Sequence, residues 1–145
     1  MKIELQVGKE YVPSRVVIYT EKVTPEIEKL VEILQNYNKH SILGYSNEEI
    51  YLLNEEEIET FYTQQGKIFA RIEGKEYQIK KRIYELEEIL PKYYIRISNS
   101  EIVNFRKIEK LDMSISGTIC LIFKNGEQTY VSRRQIKVIK EYLKI

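Results

Sequence analysis

Short apolar runs at the start of the chain give way to a helical spacing of apolar residues. Residues 2–7 and 15–20 are rich in Val, Ile and Leu, which predicts two short strands. From residue 25 the apolar positions recur three and four residues apart, which predicts an amphipathic helix ending near Asn38 with Thr24 as its N-cap. Those positions are Ile27, Leu30, Val31 and Leu34. Residues 1–40 therefore form a predicted N-terminal β-β-α unit, too small to enclose its own core.

From residue 41 the pattern changes to short strands separated by polar turns. The predicted strands are 42–46, 49–53, 58–63, 67–72, 76–79, 93–97, 101–103, 108–115, 118–123 and 127–131. Asn125-Gly126, between two apolar runs, is a strong hairpin signal. A helix is predicted at Arg82–Leu90, ended by Pro91, and a second helix at the C-terminus. The predicted fold class is mainly β (α+β), with an antiparallel β domain over residues 41–145 and short helices.

The last helix carries an unusual arrangement of charge. Ser132 and Gln135 fit a capping box, so the helix is expected to begin at Arg133. Its apolar side is predicted from Ile136, Ile139 and Leu143, and its basic side from Arg133, Lys137, Lys140 and Lys144. Arg133 and Arg134 would then stand in the first turn, where the helix macrodipole disfavours cations. A bound phosphate would reverse that cost, although a solvated basic face is the simpler interpretation.

Composition indicates one ordinary globular chain with an uneven charge distribution. Of its 145 residues, 43% are hydrophobic and 31% charged, and no apolar run approaches the ~20 residues of a membrane span. Residues 1–78 hold 9 Lys/Arg and 14 Glu, whereas residues 79–145 hold 14 Lys/Arg and 8 Asp/Glu. The basic second part favours a polyanionic partner. Without a secretory signal or a pair of cysteines, the cytoplasm is the expected location.

Candidate catalytic and metal-ligating residues are sparse. The single histidine, His40, has no neighbouring Cys, Asp or His in the sequence, and the single cysteine, Cys120, lies in an apolar strand as an expected core residue. Asp112 is the only aspartate, and the run Glu55-Glu56-Glu57 suits a turn surface. No glycine-rich phosphate loop occurs. We therefore expect no enzymatic activity, metal, cofactor or small-molecule substrate.

Three polar, partly basic loops remain as candidate functional segments. They are Gln64–Lys67, Arg96–Ser100 and Ser132–Arg134. Asparagine and glutamine pair bidentately with adenine and arginine with guanine, while serine, lysine and backbone N–H groups bind phosphates. These residue types are those of a major-groove reader, supplied from turns. Their spacing alone does not establish that the loops converge.

Three blocks of the sequence resemble the LytTR family of DNA-binding domains. The blocks are KKRIYELEEIL, YYIRISNSEIVNFRKIEKLD and FKNGEQTYVSRRQIKVIKEYL, and the resemblance covers about residues 42 to 145. It implies an elongated antiparallel multi-sheet β domain with little helix. It further implies that loops enter successive major grooves of double-stranded DNA at direct-repeat sites, as a homodimer.

Carried onto this sequence, the resemblance implies base reading by Asn99 and Arg134, with Gln65 and Lys67 as further candidates in the remaining loop. Contacts with the DNA backbone are expected from Arg96, Ser98, Ser100, Ser132, Arg133, Lys137, Lys80 and Lys81. Many members have a His-Arg pair where this chain has Ser98-Asn99. Phosphate attraction is therefore expected to depend on Arg96, Lys80, Lys81 and the final helix.

Control of this protein is expected to differ from that of family members that carry an upstream receiver domain. Some compact relatives are encoded beside small membrane proteins, so the analogy implies a small membrane protein regulator as an inhibitory partner. Two alternatives to DNA reading stay open. One is a protein-interaction module whose basic face is incidental. The other is single-stranded RNA binding, which requires exposed aromatics as stacking platforms; Tyr93 and Tyr94 are the candidates, although their position in a strand favours burial.

Overall fold

A computed structural model describes residues 1–11, 15–36 and 41–145, with residue 41 described by its backbone only. The chain divides into two compact units, Met1–Tyr37 and Asn38–Ile145, and each is described here by itself. The predicted helix end near Asn38 and the lone His40 lie outside the described residues. No helix within the described ranges is long and apolar enough to cross a membrane.

The first unit contains one helix, α1, at Pro25–Asn36. Its predicted N-cap is confirmed, because Thr24 Oγ1 accepts a hydrogen bond from the Ile27 amide at 3.3 Å. None of the residues of α1 is buried. The amphipathic stripe that the sequence predicts is therefore present but uncovered.

The two strands predicted at residues 2–7 and 15–20 are wrong as elements of this structure. In the described part of the chain no strand precedes β1. A strand forms only when its backbone N–H and C=O groups pair with a neighbouring strand, and neither segment has such a partner here. The alternating residues Ile3, Leu5 and Val7 are consequently 89%, 87% and 87% exposed.

The second unit is built on a seven-stranded antiparallel sheet. Its strands are β1 (Ser41–Ser46), β2 (Glu49–Asn54), β3 (Thr60–Gln64), β4 (Lys67–Ile72), β5 (Lys75–Ile79), β6 (Tyr94–Ser98) and β7 (Glu101–Asn104). Their order in the sheet is β2-β1-β5-β4-β3-β7-β6. Each of these strands was predicted from its short apolar run, with ends within about two residues.

A second, three-stranded antiparallel sheet follows in the chain, in the order β10-β9-β8. These strands are β8 (Ile108–Asp112), β9 (Cys120–Phe123) and β10 (Gln128–Tyr130). The other helices are α2 (Ile83–Ile89) and α3 (Ile136–Leu143). The predicted fold class, mainly β with antiparallel sheets and short helices, is confirmed.

Each sheet has its own apolar core. Helix α2 contributes Ile83 and Leu86 to a cluster on the seven-stranded sheet that also contains Phe61 and Ile102. The other cluster joins β6 to the three-stranded sheet and to Ile139 of α3. The alternation of side chains along β6 and β7 explains this division, because successive residues face opposite sides of the sheet. Cys120 is buried, as predicted.

Two local predictions are wrong. The capping box at the last helix does not form: Ser132 makes no side-chain cap hydrogen bond, residues Arg133–Gln135 adopt a 3₁₀ turn, and the α-helix begins only at Ile136. A 3₁₀ turn at a helix N-terminus satisfies an amide through a backbone carbonyl instead, here Gln135 N–H to Ser132 C=O at 2.9 Å. Glu55, predicted at the surface, is buried.

A buried carboxylate connects the two sheets. Glu59, 6% exposed, accepts hydrogen bonds from Arg71 Nε at 3.1 Å, the Glu73 amide at 2.9 Å and Asn125 Nδ2 at 3.0 Å. Arg71 also pairs with Glu127 at 2.6 Å and lies over the Phe123 ring. Asn125 lies in the turn of the β9–β10 hairpin and Glu127 directly after it, so this cluster fixes that hairpin to the larger sheet.

Candidate nucleic-acid interface

The β3–β4 turn and the β6–β7 turn lie at the same edge of the seven-stranded sheet. Strands β3 and β7 pair antiparallel with Tyr62 opposite Glu101, so the end of β3 meets the beginning of β7. The Thr63 amide also donates to the Ser100 carbonyl at 2.9 Å. The predicted loops Gln64–Lys67 and Arg96–Ser100 are therefore adjacent, through a pairing of strands about forty residues apart in the chain.

The third predicted loop joins this edge from the smaller sheet. The Ser132 amide donates to the Ile97 carbonyl at 2.8 Å, immediately before the β6–β7 turn. Glu101 reinforces the junction, because its two carboxylate oxygens accept from Thr60 and Thr129 hydroxyls, each at 2.6 Å. The three loops Gln64–Lys67, Arg96–Ser100 and Ser132–Arg134 thus meet at one end of the seven-stranded sheet. We call this surface the loop edge.

The β6–β7 turn presents Asn99 at the surface. Asn99 is exposed, and its side chain makes no hydrogen bond within the described part of the chain. Ser98 and Ser100 are partly engaged with one another: Ser98 Oγ accepts from the Ser100 amide at 3.2 Å and lies 3.3 Å from Ser100 Oγ. The amide of Asn99 is therefore available to an outside partner, whereas the flanking hydroxyls shape the turn.

Arg96 fixes the same turn by hydrogen bonds to its backbone. Its Nε donates to the Ser98 carbonyl and its Nη2 to the Asn99 carbonyl, both at 3.0 Å. Its Nη1 forms an ion pair with Glu87 of α2 at 3.0 Å. Three of the five N–H groups of this guanidinium are thus engaged within the molecule, which leaves two for the DNA-backbone contact that the sequence predicts. Sequence inspection missed Glu87, because a contact nine residues away across a helix end leaves no local signal.

Substituting Arg96 should loosen the Asn99 turn without unfolding the sheet. For Arg96→Ala, we expect amide hydrogen exchange at residues 98–100 to accelerate about thirtyfold, because two hydrogen bonds worth about 1 kcal/mol each are lost. Glu87→Gln serves as the matched control, since it removes the ion pair but leaves both bonds to the turn. Equal exchange rates in Arg96→Ala and wild type would contradict this role.

The β3–β4 turn is a two-residue hairpin loop. Gln65 and Gly66 both have positive φ, 52° and 77°, which matches the type I′ turns that follow the twist of paired strands. Gln64, Gln65 and Lys67 are exposed. The turn therefore projects two amides and one ammonium from the loop edge.

Further cations lie around this edge. Because β5 pairs antiparallel with β4, it ends beside the start of β4 and places Lys80 and Lys81 there, both exposed. Lys80 Nζ lies 4.1 Å from the centre of the Tyr45 ring. Arg133 and Arg134, which come directly after Ser132 in the chain, are exposed, and so is Lys137 in α3. Burial raises the pKa of the Tyr62 phenol, which is neutral at physiological pH even at its ordinary pKa.

A family model, the LytTr DNA-binding domain, matches residues 48–144. The chain belongs to this family. Among curated proteins, it is 35% identical over 146 residues to an uncharacterized HTH-type transcriptional regulator of Staphylococcus aureus strain MSSA476, covering 100% of this chain and 99% of that protein. A Staphylococcus aureus protein of the same description from the bovine strain RF122 is 34% identical over the same length.

The family fold is also found among solved structures. A LytTr DNA-binding domain from Bacillus cereus superposes with a TM-score of 0.70 at 21% identity, covering 73% of this chain and 98% of that one. The relatives' names refer to a helix-turn-helix. In the described part of this LytTr chain, however, strands separate α1, α2 and α3 from one another.

Proposed function

We propose that this protein is a DNA-binding transcriptional regulator that reads double-stranded DNA sequence-specifically through the three loops of the loop edge. Membership of the LytTr DNA-binding domain family supports DNA as the partner. The observation that carries the finer proposal is the convergence of three polar loops, through the Thr63–Ser100 and Ser132–Ile97 backbone bonds, around the exposed Asn99 and Arg134 side chains.

The proposed roles follow from side-chain chemistry and exposure. Asn99 and Arg134 read base edges in the major groove, since an amide matches adenine and a guanidinium matches guanine. Gln65 and Lys67 supply further base contacts from the β3–β4 turn. Contacts with the DNA backbone come from Arg96, Ser98, Ser100, Ser132, Arg133, Lys137, Lys80 and Lys81. Of these, Arg96 also positions the Asn99 turn.

Selection from a random duplex library, followed by salt titration, tests this function. We expect one enriched sequence motif and an affinity for it that falls steeply with salt, since phosphate contacts release counterions. Affinity for unselected duplex should fall with salt as well but stay lower at every concentration. Salt-independent or absent binding to any duplex would instead favour a protein-interaction module, and preference for single strands would favour RNA binding.

We also propose that the protein acts as a homodimer and that the first unit supplies the contact with a second copy. Three features support a second copy of the chain as the partner of the first unit. Helix α1 has an amphipathic stripe with no buried residue, the alternating Ile3, Leu5 and Val7 lack a strand partner, and the likeness to the Staphylococcus aureus proteins spans the whole length of both chains. The small membrane protein regulator implied by the family analogy stays a prediction.

Polar substitutions on the α1 stripe should weaken self-association. We expect the double variant Leu30→Gln/Leu34→Gln to raise the dimer dissociation constant at least about tenfold, because each buried leucine contributes about 1.5–3 kcal/mol. Sedimentation equilibrium gives that constant. The control Lys29→Gln/Glu32→Gln changes the polar face of the same helix without altering net charge. A dimer unaffected by the leucine substitutions would contradict the role of α1.

A further inference from the structure

A basic groove lies along α3, beyond the residues assigned to base reading. Its volume is about 730 Å³, and its walls are α3 with the preceding turn on one side and the loop 116–118 on the other. The lining residues that matter here are Arg133, Lys137, Lys140, Glu141 and Lys144. The lining side chains therefore bring four cations and one carboxylate to a single groove.

The four cations are unpaired within the described residues. No ion pair there joins Arg133, Lys137, Lys140 or Lys144 to a carboxylate. Lys137, Lys140 and Lys144 follow one another at three and four residues, which places them on one helix face. Like charges at this spacing repel one another. Glu141, four residues from Lys137 and three from Lys144, offsets part of this repulsion, and a bound anion would offset more of it. The helix macrodipole stabilises cations near the C-terminus of a helix, here Lys140 and Lys144, by about a few tenths of a kcal/mol each. That effect does not explain why Arg133 and Lys137 stand in the same row.

The row is too long for one small anion. Lys137 to Lys144 rises about 10 Å along the helix axis, and Arg133 extends it toward the loop edge. One strand of duplex DNA carries one charge per ~3.4 Å of the helix axis, so about three phosphates span a row of this length. The opposite wall contains Gly117, whose φ of 77° turns the loop and whose missing side chain leaves open space beside it. A backbone can approach that wall closely.

The groove begins where the reading loops are fixed. Arg133 lines the groove and directly follows Ser132, whose amide is bonded to Ile97 at the loop edge. Lys140 lies farther along α3 and Lys144 at its C-cap. The sequence names both only as part of the basic side of the final helix and assigns neither a DNA contact of its own. A duplex bound at the loop edge would meet the near end of the groove first.

We propose that this groove binds the phosphate backbone of duplex DNA flanking the bases read by the loops, with Lys140 and Lys144 as sequence-independent contacts. This inference rests on the proposed function. It assigns the protein a longer footprint on DNA than the three loops alone provide. It also distinguishes the 3₁₀ turn Arg133–Gln135, where Arg134 reads sequence, from α3 and its C-cap, where the lysines contribute affinity.

The double variant Lys140→Gln/Lys144→Gln tests the groove in the full chain. The slope of log affinity against log salt should become shallower by about 2, because each phosphate contact contributes about 0.9. The loss should be equal for a selected site and for random duplex. The control Lys92→Gln/Lys124→Gln removes the same charge from exposed lysines at strand ends opposite the loop edge and should leave the slope near that of wild type.

The outcomes separate failure of the groove from failure of the proposed function. If the wild type binds DNA with salt dependence but both double variants show the wild-type slope, the groove assignment is overturned. Binding of ATP, as a free phosphate ligand, that requires Lys140 and Lys144 while the DNA slope stays unchanged would also overturn it. If the wild type binds no duplex at all, the proposed function itself fails. Circular dichroism establishes that each variant is folded.

Discussion

Arg134→Ala should lower affinity for a selected DNA site by about 5- to 150-fold, corresponding to about 1–3 kcal/mol for one bidentate contact to a base. Asn99→Ala should produce a loss of the same size, and each substitution should flatten preference at one base position. Both side chains are exposed at the loop edge, so neither substitution should change stability by more than about 0.5 kcal/mol. Competition binding against single-base variants of the site gives these values.

Two further variants separate the base contact of Arg134 from the effect of removing a positive charge. Arg134→Lys keeps the charge but loses the planar fork, so it should retain the salt dependence and lose the base preference. Lys124→Ala removes an exposed cation from the β9–β10 turn, at the other end of β10, and should leave preference unchanged. If both Arg134→Ala and Asn99→Ala bind the selected site like wild type, the assigned reading loops are wrong.

Glu59→Ala should destabilise the second unit by about 2–4 kcal/mol. The substitution removes the shared acceptor of Arg71 Nε, the Glu73 amide and Asn125 Nδ2, and each lost bond near the core costs about 1 kcal/mol. Arg71 keeps its second partner, Glu127, which limits the loss. Urea unfolding measures the change, and Glu57→Ala, an exposed glutamate two residues away, is the control.

The same variant should also weaken DNA binding beyond what its unfolded fraction explains. Glu59 fixes the β9–β10 hairpin to the larger sheet, and β10 leads directly into the Ser132–Arg134 loop. A hairpin that moves relative to the larger sheet presents Arg134 less consistently beside Asn99. Binding of folded Glu59→Ala that equals wild type in affinity and base preference would show that the Ser132–Ile97 bond alone positions this loop.

Local patterns predicted most of the second unit because its strands pair with neighbours that turns define. The Asn125-Gly126 hairpin is one example, and β1, β3 and β4 are others, since each of these strands is followed by a short polar turn to the strand with which it pairs. Residues 2–7 carry an equally good alternation but form no strand. Periodicity reports which face of a segment is apolar, whereas strand formation also requires a partner, which the segment itself does not encode.

The candidate site was predicted as three separate loops, but its assembly depends on contacts that are distant in sequence. Glu101 bonds Thr60 and Thr129, 41 and 28 residues away, and Glu59 reaches Asn125 across 66 residues. Neither glutamate differs locally from a surface glutamate, so both were missed. The start of α3 was mispredicted for a related reason, because the Ser132 amide is bonded to β6 and its hydroxyl does not cap the helix.

The manner in which Arg96 holds the Asn99 turn bears on how operators diverge among such regulators. Its guanidinium bonds the carbonyl oxygens of Ser98 and Asn99, which every amino acid provides. Neither bond therefore depends on the side chain at position 99. If Asn99 reads a base, as proposed, a single substitution there would change the preferred base and keep both bonds that hold the turn. Regulators of this design would then acquire new target genes without passing through unstable intermediates.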